Sequence, residues 1–533
     1  MYIWYSPVNF LKILLLSFFI ISYSLAQGSG MLRGKVYDKT TKEGLPGANL
    51  IVKSSSVGAA TDIDGNYVMR GVPAGKQTII VTYIGYEVET VVLTITSGST
   101  LQKDFGLEFT TLEGEEVVVT AQAQGQLEAI NQQLASDKIA NIVSESKIQE
   151  LPDFNAAATL SRLPGISTTQ SSGEDNKVVI RGLSPKYNSI EVEGVRLSAT
   201  GSSQIGLSSN PEIALQDISN DRSVDLTMIS PYMIRMISVY KSLTPDMNAN
   251  SIGGTVNMEL REAPPDLHYD LLYQQGFTAK SNTYGNYRAI ASGSYRFLNN
   301  KLGAYALFNI ESYDRNSDNF EAGYDITAGQ ADVDPVTGYR PVEVNTVTFN
   351  RHIETRKRYG GNLILDYALP RGSIKLTNLL ARINSDYLEH RQVIDYDQGR
   401  MNWRLNDNEN NIDQRLHSLK FNYDLGILTA DLSASYTTSN NVLEKSPQIS
   451  FNQTDAVQAG VFRDNVNPEN LTYLLPTFGQ DSAVVLRSGN LLSSDYKEDL
   501  YTYKADFQIP FNISSGASGF FKVGGQYNNQ KNS

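Results

Sequence analysis

Tyr287-Arg288-Ala289-Ile290-Ala291-Ser292-Gly293-Ser294-Tyr295-Arg296-Phe297 alternates with a period of two. Tyr287, Ala289, Ala291, Gly293, Tyr295 and Phe297 put apolar or small groups on one face, while Arg288, Ser292, Ser294 and Arg296 fill much of the other. That is the period of a β-strand, and the stretch has the length of about 9–11 residues that a tilted strand needs to cross a bilayer. The pattern returns in Leu302, Ala304, Ala306, Phe308 and Ile310, and in Leu363, Leu365, Tyr367 and Leu369. It recurs in Leu428, Ala430, Leu432, Ala434 and Tyr436, and in Tyr501, Tyr503, Ala505, Phe507 and Ile509. Short turns at Asn299-Asn300, Pro370-Arg371-Gly372 and Asp424-Leu425-Gly426 contrast with long excursions at about 314–345, 390–411 and 441–497. Residues 266–533 are therefore expected to form part of a transmembrane antiparallel β-barrel, with tight turns at one end and long loops at the other. A large soluble antiparallel sheet also alternates, because one of its faces is wet. Segment length and the N-terminus favour the barrel. An open sheet cannot sit in lipid with an unpaired edge. The roughly nine segments thus imply further strands beyond Ser533, the chain being a fragment or a truncated gene product.

Lys12 precedes a nine-residue run, Ile13 to Ile21, and Ser24-Leu25-Ala26 places small residues before Gln27. Residues 1–26 read as a cleaved signal peptide, since so short a run cannot cross about 30 Å of hydrocarbon. No later stretch approaches twenty consecutive apolar residues, which excludes a helical membrane protein. The 533 residues hold 30 Tyr, 19 Phe and 41 Gly with only 19% charged residues, a balance suited to β-structure. A net charge of -12 with no basic stripe gives nucleic-acid binding no electrostatic footing. The absence of Cys removes disulfides and thiolate metal ligands.

Residues 28–110 carry strand-like runs at 32–37, 48–53, 67–69, 77–83 and 101–107, separated by Leu45-Pro46-Gly47, Asp62-Ile63-Asp64-Gly65-Asn66 and Val72-Pro73-Ala74-Gly75. A small β-sandwich is the economical reading. The Asp62, Asp64 and Asn66 cluster lacks the spacing and distal Glu of a calcium loop and reads as a hairpin turn. In 113–126 an acidic lead meets a β-prone segment, Glu116-Val117-Val118-Val119-Thr120-Ala121, whose backbone needs a partner strand. Residues 127–264 look mixed α/β. A short helix over 154–163 is expected to be capped by Asp153 and stopped by Pro164-Gly165, with strands at 177–181, 189–192 and 234–240. The fold class is thus mainly β: a β-sandwich domain, a mixed α/β domain and the first part of a barrel.

No catalytic constellation stands out. Ser144-Glu145-Ser146-Lys147 and Ser238-Val239-Tyr240-Lys241 have Ser-x-x-Lys spacing without its companion signatures. His268, His352, His390 and His417 lie apart, none at metal-ligand spacing. Neither an enzyme, a metal site nor a cofactor is expected.

Several motifs in order resemble those of a TonB-dependent outer-membrane receptor with a carboxypeptidase-regulatory-like domain before its plug. The added domain is carried by Gly34-Lys35-Val36-Tyr37-Asp38, Leu45-Pro46-Gly47-Ala48 and Thr61 to Tyr67. Glu116, Val117, Val118, Val119, Thr120 and Ala121 resemble the box that engages TonB. Leu163-Pro164-Gly165-Ile166, Val179-Ile180-Arg181-Gly182, Val192-Glu193-Gly194-Val195, Ile237 to Lys241 and Ser251-Ile252-Gly253-Gly254-Thr255-Val256-Asn257 resemble plug motifs, with Glu193 where the family usually has Asp. The resemblance implies a plug over 127–264 in a barrel of about 22 strands, so this chain provides fewer than half. It further implies gated import of a small extracellular ligand, a glycan, siderophore or similar, driven by TonB. The protein would sit in outer-membrane lipid, its first domain in the periplasm, with a surface lipoprotein as a further partner. Arg181 and Glu193 are read as charges of a plug network or plug-to-barrel contact, with Gly182 and Gly194 giving backbone turns, and Gly182, Gly194, Gly253 and Gly254 are read as supplying backbone permissiveness where side chains would clash. An adhesin, or a receptor that signals without import, is the alternative.

Overall fold

The computed structural model describes residues 29–108, 139–150, 155–201, 221–326, 338–457, 462–471, 484–513 and 517–533, apart from isolated positions within those stretches. The signal segment, Asp153 and residues 116–121 lie outside the described residues.

The first unit contains β1 (Ser29–Asp38), β2 (Asn49–Val52), β3 (Gly58–Ala60), β4 (Asn66–Pro73), β5 (Gly75–Thr82), β6 (Glu89–Ile95), β7 (Thr100–Gln102) and β8 (Phe105–Leu107). One sheet has the order β4-β1-β7 with β8 also on β1, and the other β3-β2-β5-β6. Alternate residues point inward, so that Leu32, Leu50, Met69, Ile79 and Phe105 are wholly buried together. The single strand expected over 101–107 is divided at Lys103-Asp104, where the Asp104 carboxylate accepts from Lys35 N–H at 2.8 Å. At the Asp62–Asn66 turn, Asp62 Oδ1 accepts from Asn66 N–H at 2.7 Å. Gly65 there has φ +79°, and an added Cβ would lie 2.5 Å from the Val36 carbonyl.

The second unit runs through β9 (Ala140–Ser144), α1 (Glu145–Glu150), α2 (Ala156–Ser161), β10 (Ile166–Ser171), β11 (Glu174–Ile180), β12 (Asn188–Val192), β13 (Val195–Arg196), β14 (Ile234–Tyr240) and β15 (Gly254–Leu260). Its central sheet is β13-β12-β15-β14-β9, with β10-β11 a separate hairpin. The β12–β15 pair is parallel. The cap of α2 is Asn155 and not the expected Asp153: Asn155 has extended backbone, and its side chain accepts from Ala158 N–H at 2.9 Å.

The third unit is a ten-stranded sheet of β16 (His268–Thr278), β17 (Thr283–Phe297), β18 (Leu302–Asp314), β19 (Ser317–Ile326), β20 (Val342–Leu369), β21 (Gly372–Asp395), β22 (Arg400–Asp424), β23 (Thr429–Gln453), β24 (Val484–Ile513) and β25 (Ala517–Asn532). Every pairing is antiparallel; β19 lies off the main path on β20. The sheet resembles an unclosed barrel. Its outer face exposes Phe308, Leu363, Leu380, Leu419 and Tyr503, whereas Ile290, Leu307, Ile364, Leu379 and Leu416 turn inward and join the core of the second unit. Tyr436 and Tyr501 stack on the outer face at 4.7 Å between centroids, and Tyr295 meets Phe297 edge-on at 4.7 Å nearer the short turns. Aromatic positions of this kind mark the edges of a lipid-facing band. No helix among the described residues is long and apolar enough to cross a membrane, which says nothing of a barrel.

The excursion expected at 390–411 is largely strand, and that at 441–497 is strand at its two ends, 441–453 and 484–497. From Arg382, which pairs with Asp413 on the outer face at 2.9 Å, β21 continues to Asp395. That is about 40 Å of strand at 3.3 Å per residue. Beyond the lipid band both faces are wet, so the alternation that betrays a strand disappears while its main-chain ladder persists. Residues from 454–471 pack on these strand tips, burying Val347, Ile394, Met401 and Leu471 together, and Arg463 binds Asp397 at 2.6 Å.

Candidate functional site

The inner face of the wall meets the second unit through two clusters of charge. Near the middle, Glu174 at the start of β11 is 5% exposed. It accepts from Arg356 Nη1 at 2.8 Å, Arg315 Nη2 at 3.2 Å, Asn155 Nδ2 at 2.8 Å and Arg358. Arg356 and Arg358 are alternate residues of β20 and so share its inner face, together with Glu354, which binds Arg356 at 2.7 Å. Glu311 of β18 takes Arg288 at 3.3 Å and Arg358 at 3.4 Å. Tyr313 lies 5.3 Å from Arg358 and 5.5 Å from Arg315, a cation–π platform beneath both. Burial pushes the Glu174 carboxyl up, but the guanidiniums of Arg358, Arg356 and Arg315 outweigh it and, with the Asn155 amide, hold it below the usual carboxylate range.

The second cluster lies at the short-turn end. Glu193-Gly194 is the two-residue loop between β12 and β13, with φ +55° and +68°. Two positive φ values in succession match the twist of the flanking strands. Strain at the non-glycine position is offset by three contacts: Glu193 N–H donates to Met258 O at 2.8 Å, Oε1 accepts from Leu260 N–H at 2.8 Å, and Oε2 binds Lys375 at 2.7 Å. Lys375 also binds Glu262, and Lys420 donates to the Glu193 carbonyl. Glu193 therefore bridges the second unit to β21.

Arg181-Gly182 has the same local geometry, with φ +54° and +73°, yet Arg181 is exposed and forms no ion pair with any described residue. An added Cβ at Gly182 would meet nothing within 4 Å, so the glycine answers to backbone conformation alone. At Gly253 a Cβ would overlap Asn188 Oδ1, and at Gly254 it would come 2.8 Å from the Tyr240 carbonyl. Sequence reading missed Glu174. The signal available was on its partners: His352, Glu354, Arg356 and Arg358 recur at every second residue, an inner strand face too charged to be left without counter-charges.

Towards the long-hairpin end the second unit also hydrogen-bonds the wall. Ser198 Oγ lies 2.9 Å from Thr437 Oγ1, Ala199 N–H donates to Glu498 Oε1 at 3.1 Å, and Asn441 Nδ2 donates to Thr200 O at 2.8 Å. Between these contacts and β19–β22 opens a cavity of about 610 Å³ lined by both units. Lys177 and Asp221 form a 2.6 Å ion pair on its wall. Burial raises the Asp221 carboxyl, and Lys177 and Ser223 overcome that and lower it.

Residues 32–119 match the CarboxypepD_reg-like domain family, and residues 132–255 match the TonB-dependent Receptor Plug Domain family. By these matches the chain is similar to TonB-dependent outer-membrane receptors with an N-terminal CarboxypepD_reg-like domain. It is 27% identical over 186 residues to TonB-dependent receptor P39 of Formosa agariphila, a match covering 34% of this chain and 16% of that one. Against TonB-dependent receptor SusC of Bacteroides thetaiotaomicron it is 24% identical over 285 residues, covering 51% of this chain and 25% of the relative. The matched stretches thus span a quarter or less of these receptors' lengths. Among solved structures, BauA, the ferric preacinetobactin receptor from Acinetobacter baumannii, aligns at 12% identity and TM-score 0.38, over 75% of this chain and 59% of that one. The second unit falls almost wholly within the stretch that matches the plug family and is called the plug below, and the curated relatives are receptors rather than enzymes.

Proposed function

We propose that this receptor imports a scarce extracellular solute, a glycan, a siderophore or a similar compound, by energy-coupled displacement of its plug. The supporting observation is that the plug is tied to the wall near the middle by Glu174 and at the short-turn end by Glu193, so a solute passes only if those ties give way. An outer membrane has no nucleotide supply, so the work must arrive as a pull from the periplasm. Glu116, Val117, Val118, Val119, Thr120 and Ala121 form the segment to receive it: an unpaired strand can add its main-chain groups to a sheet of TonB and transmit tension along the chain.

In this reading 28–110 is a periplasmic sandwich, 127–264 the plug and 266–533 wall embedded in outer-membrane lipid. Arg181, Gly182, Glu193, Gly194, Gly253 and Gly254 serve plug structure rather than ligand contact. A surface lipoprotein that presents ligand at the long hairpins is the further partner. Val118→Pro removes a donor and restricts Val117, whereas Val118→Ala leaves the main chain intact. At equal surface abundance in the full-length receptor, the Pro variant is expected to bind ligand but lose uptake and TonB capture, and the Ala variant to keep most of both. Equal energy-dependent uptake by wild type and Val118→Pro would remove 116–121 as the coupling strand.

A further inference from the structure

We infer that Arg70 and Asp424 form a releasable latch that parks the first unit on the short-turn rim of the wall, and that the latch opens, with the sandwich still folded, when the coupling segment 116–121 is drawn out; the second half rests on the import reading above. Arg70 stands on β4, its Nη2 3.0 Å from Asp424 Oδ1 at the end of β22. Their side chains are only 19% and 12% exposed, so the two surfaces close over the pair, and β4 also approaches β24. Asp424 is held ready for its partner. Its N–H donates to Arg371 O at 2.7 Å in the neighbouring short turn, and its Oδ1 accepts from Gly426 N–H at 2.7 Å. A carboxylate fixed in this way loses little freedom when it takes the guanidinium.

The contact is built to let go. The buried apolar core of the first unit is made from its own residues, Leu32 to Leu107, with none from the wall. The sandwich is therefore held by apolar burial and the dock by a polar pair, so the unit leaves the rim more readily than it unfolds. Load also enters at the opposite end from the latch. Met69 and Val72 pair with Leu32 and Gly30 near the start of β1, whereas Leu107 pairs with Asp38 at its end. A pull arriving through Glu108 thus meets the sandwich about 23 Å from the latch, at 3.3 Å per residue. From Glu108 to Glu116 are eight residues, at most about 28 Å of extended chain. While the latch is closed the coupling segment cannot be drawn further than that from Glu108. A longer stroke requires the first unit to undock or to unfold, and the polar contact is the weaker of the two.

The test uses the full-length receptor, freed of other cysteines and held in lipid nanodiscs, with spin labels on Val92→Cys in the first unit and Ile427→Cys on the rim, both exposed positions. Pulsed dipolar spectroscopy is expected to give one narrow distance distribution. Arg70→Glu should raise the undocked, broad fraction about tenfold, and Arg70→Glu combined with Asp424→Arg should restore the narrow one. Heat-modifiable mobility checks folding. Because Asp424 also holds Gly426, Arg70→Lys, which keeps the charge and is expected to stay narrow, replaces the swap if that variant fails the check. A handle on Val118→Cys of the unlabelled receptor is then pulled in an optical trap. The expected first yield is a low-force release that leaves the sandwich folded, absent from Arg70→Glu and present again in the charge-keeping variant. A broad distribution in the unsubstituted receptor, one that Arg70→Glu leaves unchanged, or no narrow distribution in the charge-keeping variant overturns the latch. A first yield that survives Arg70→Glu, or sandwich unfolding ahead of release, overturns the order of events. Neither measurement involves TonB or a solute, so loss of the coupling strand in the Val118→Pro comparison would sink the import reading and leave the docking result standing.

Discussion

Glu174 and Glu193 are both carboxylates of the plug, both buried, and both tied to cations on wall strands, yet they are held in different ways. Glu174 is a charge held by charge: three guanidiniums converge on it, and the adjoining wall holds four arginines, Arg288 included, whose ion pairs with Glu174 are lost once that carboxylate is gone, leaving those with Glu311 and Glu354. Glu193 is held as much by main chain, through the amide of Leu260 and the carbonyl of Met258, and its partner Lys375 keeps a second carboxylate in Glu262. A buried ion cluster is poor evidence of net stabilisation, but removing one partner from it is severe because the others stay buried and uncompensated. The midway tie should therefore fail sharply and the short-turn tie gradually.

Glu174→Leu is expected to weaken plug docking by about 3–5 kcal/mol, read as the shift in urea midpoint for protease protection of the plug in the full-length receptor. A loss no larger than that of Glu193→Gln would erase the distinction between the two sites. Acid should produce a partial version of the same effect. The Glu174 carboxyl is held below its ordinary value, so its contribution is fully present above the unfolded value of about 4.3 and is lost as pH falls through the lower folded value. Plug protection should accordingly fall in the acid range below about pH 4 in wild type, and Glu174→Gln should flatten that part of the profile. Glu193→Gln should cost about 1–3 kcal/mol, because an amide oxygen still accepts from Leu260 and Lys375 still finds Glu262. Smallest of all, Arg382→Ala removes an outer-face pair in which the Arg382 side chain is 45% exposed. Its effect on the same urea midpoint should stay below about 1 kcal/mol, and a larger one would mean that the outer face contributes to docking.

The two sites also differ in how far they could be read from sequence. Val192-Glu193-Gly194-Val195 announces a turn between apolar residues, and its charge was legible as a contact before any geometry was known. Glu174 follows Ser171-Ser172-Gly173 and reads as loop; its partners Arg356 and Arg358 lie 182 and 184 residues away, a separation that no local pattern encodes. Arg181 shows the converse. Its motif matches as well as that of Glu193, but its turn is exposed and makes no ion pair with any described wall residue, and what a turn meets is decided by tertiary packing. Strands were legible where lipid imposes an apolar outer face, as at Leu363 to Leu369, and illegible in β21 beyond Arg382, where both faces are polar.

The central claim is that the plug sits inside the curved wall, held to its inner face. Residues 1–533 hold no Cys, so a disulfide introduced between plug and wall is compared with each single substitution to report on that placement. Ser198 and Thr437 have their hydroxyl oxygens 2.9 Å apart, one on the plug and one on β23. In native outer membranes carrying the full-length receptor, Ser198→Cys with Thr437→Cys is predicted to cross-link in high yield on mild oxidation and to shift gel mobility reversibly with reductant, while either single substitution does not. A folded, heat-modifiable double variant that stays uncross-linked under the same oxidation would contradict the placement of the plug against this wall.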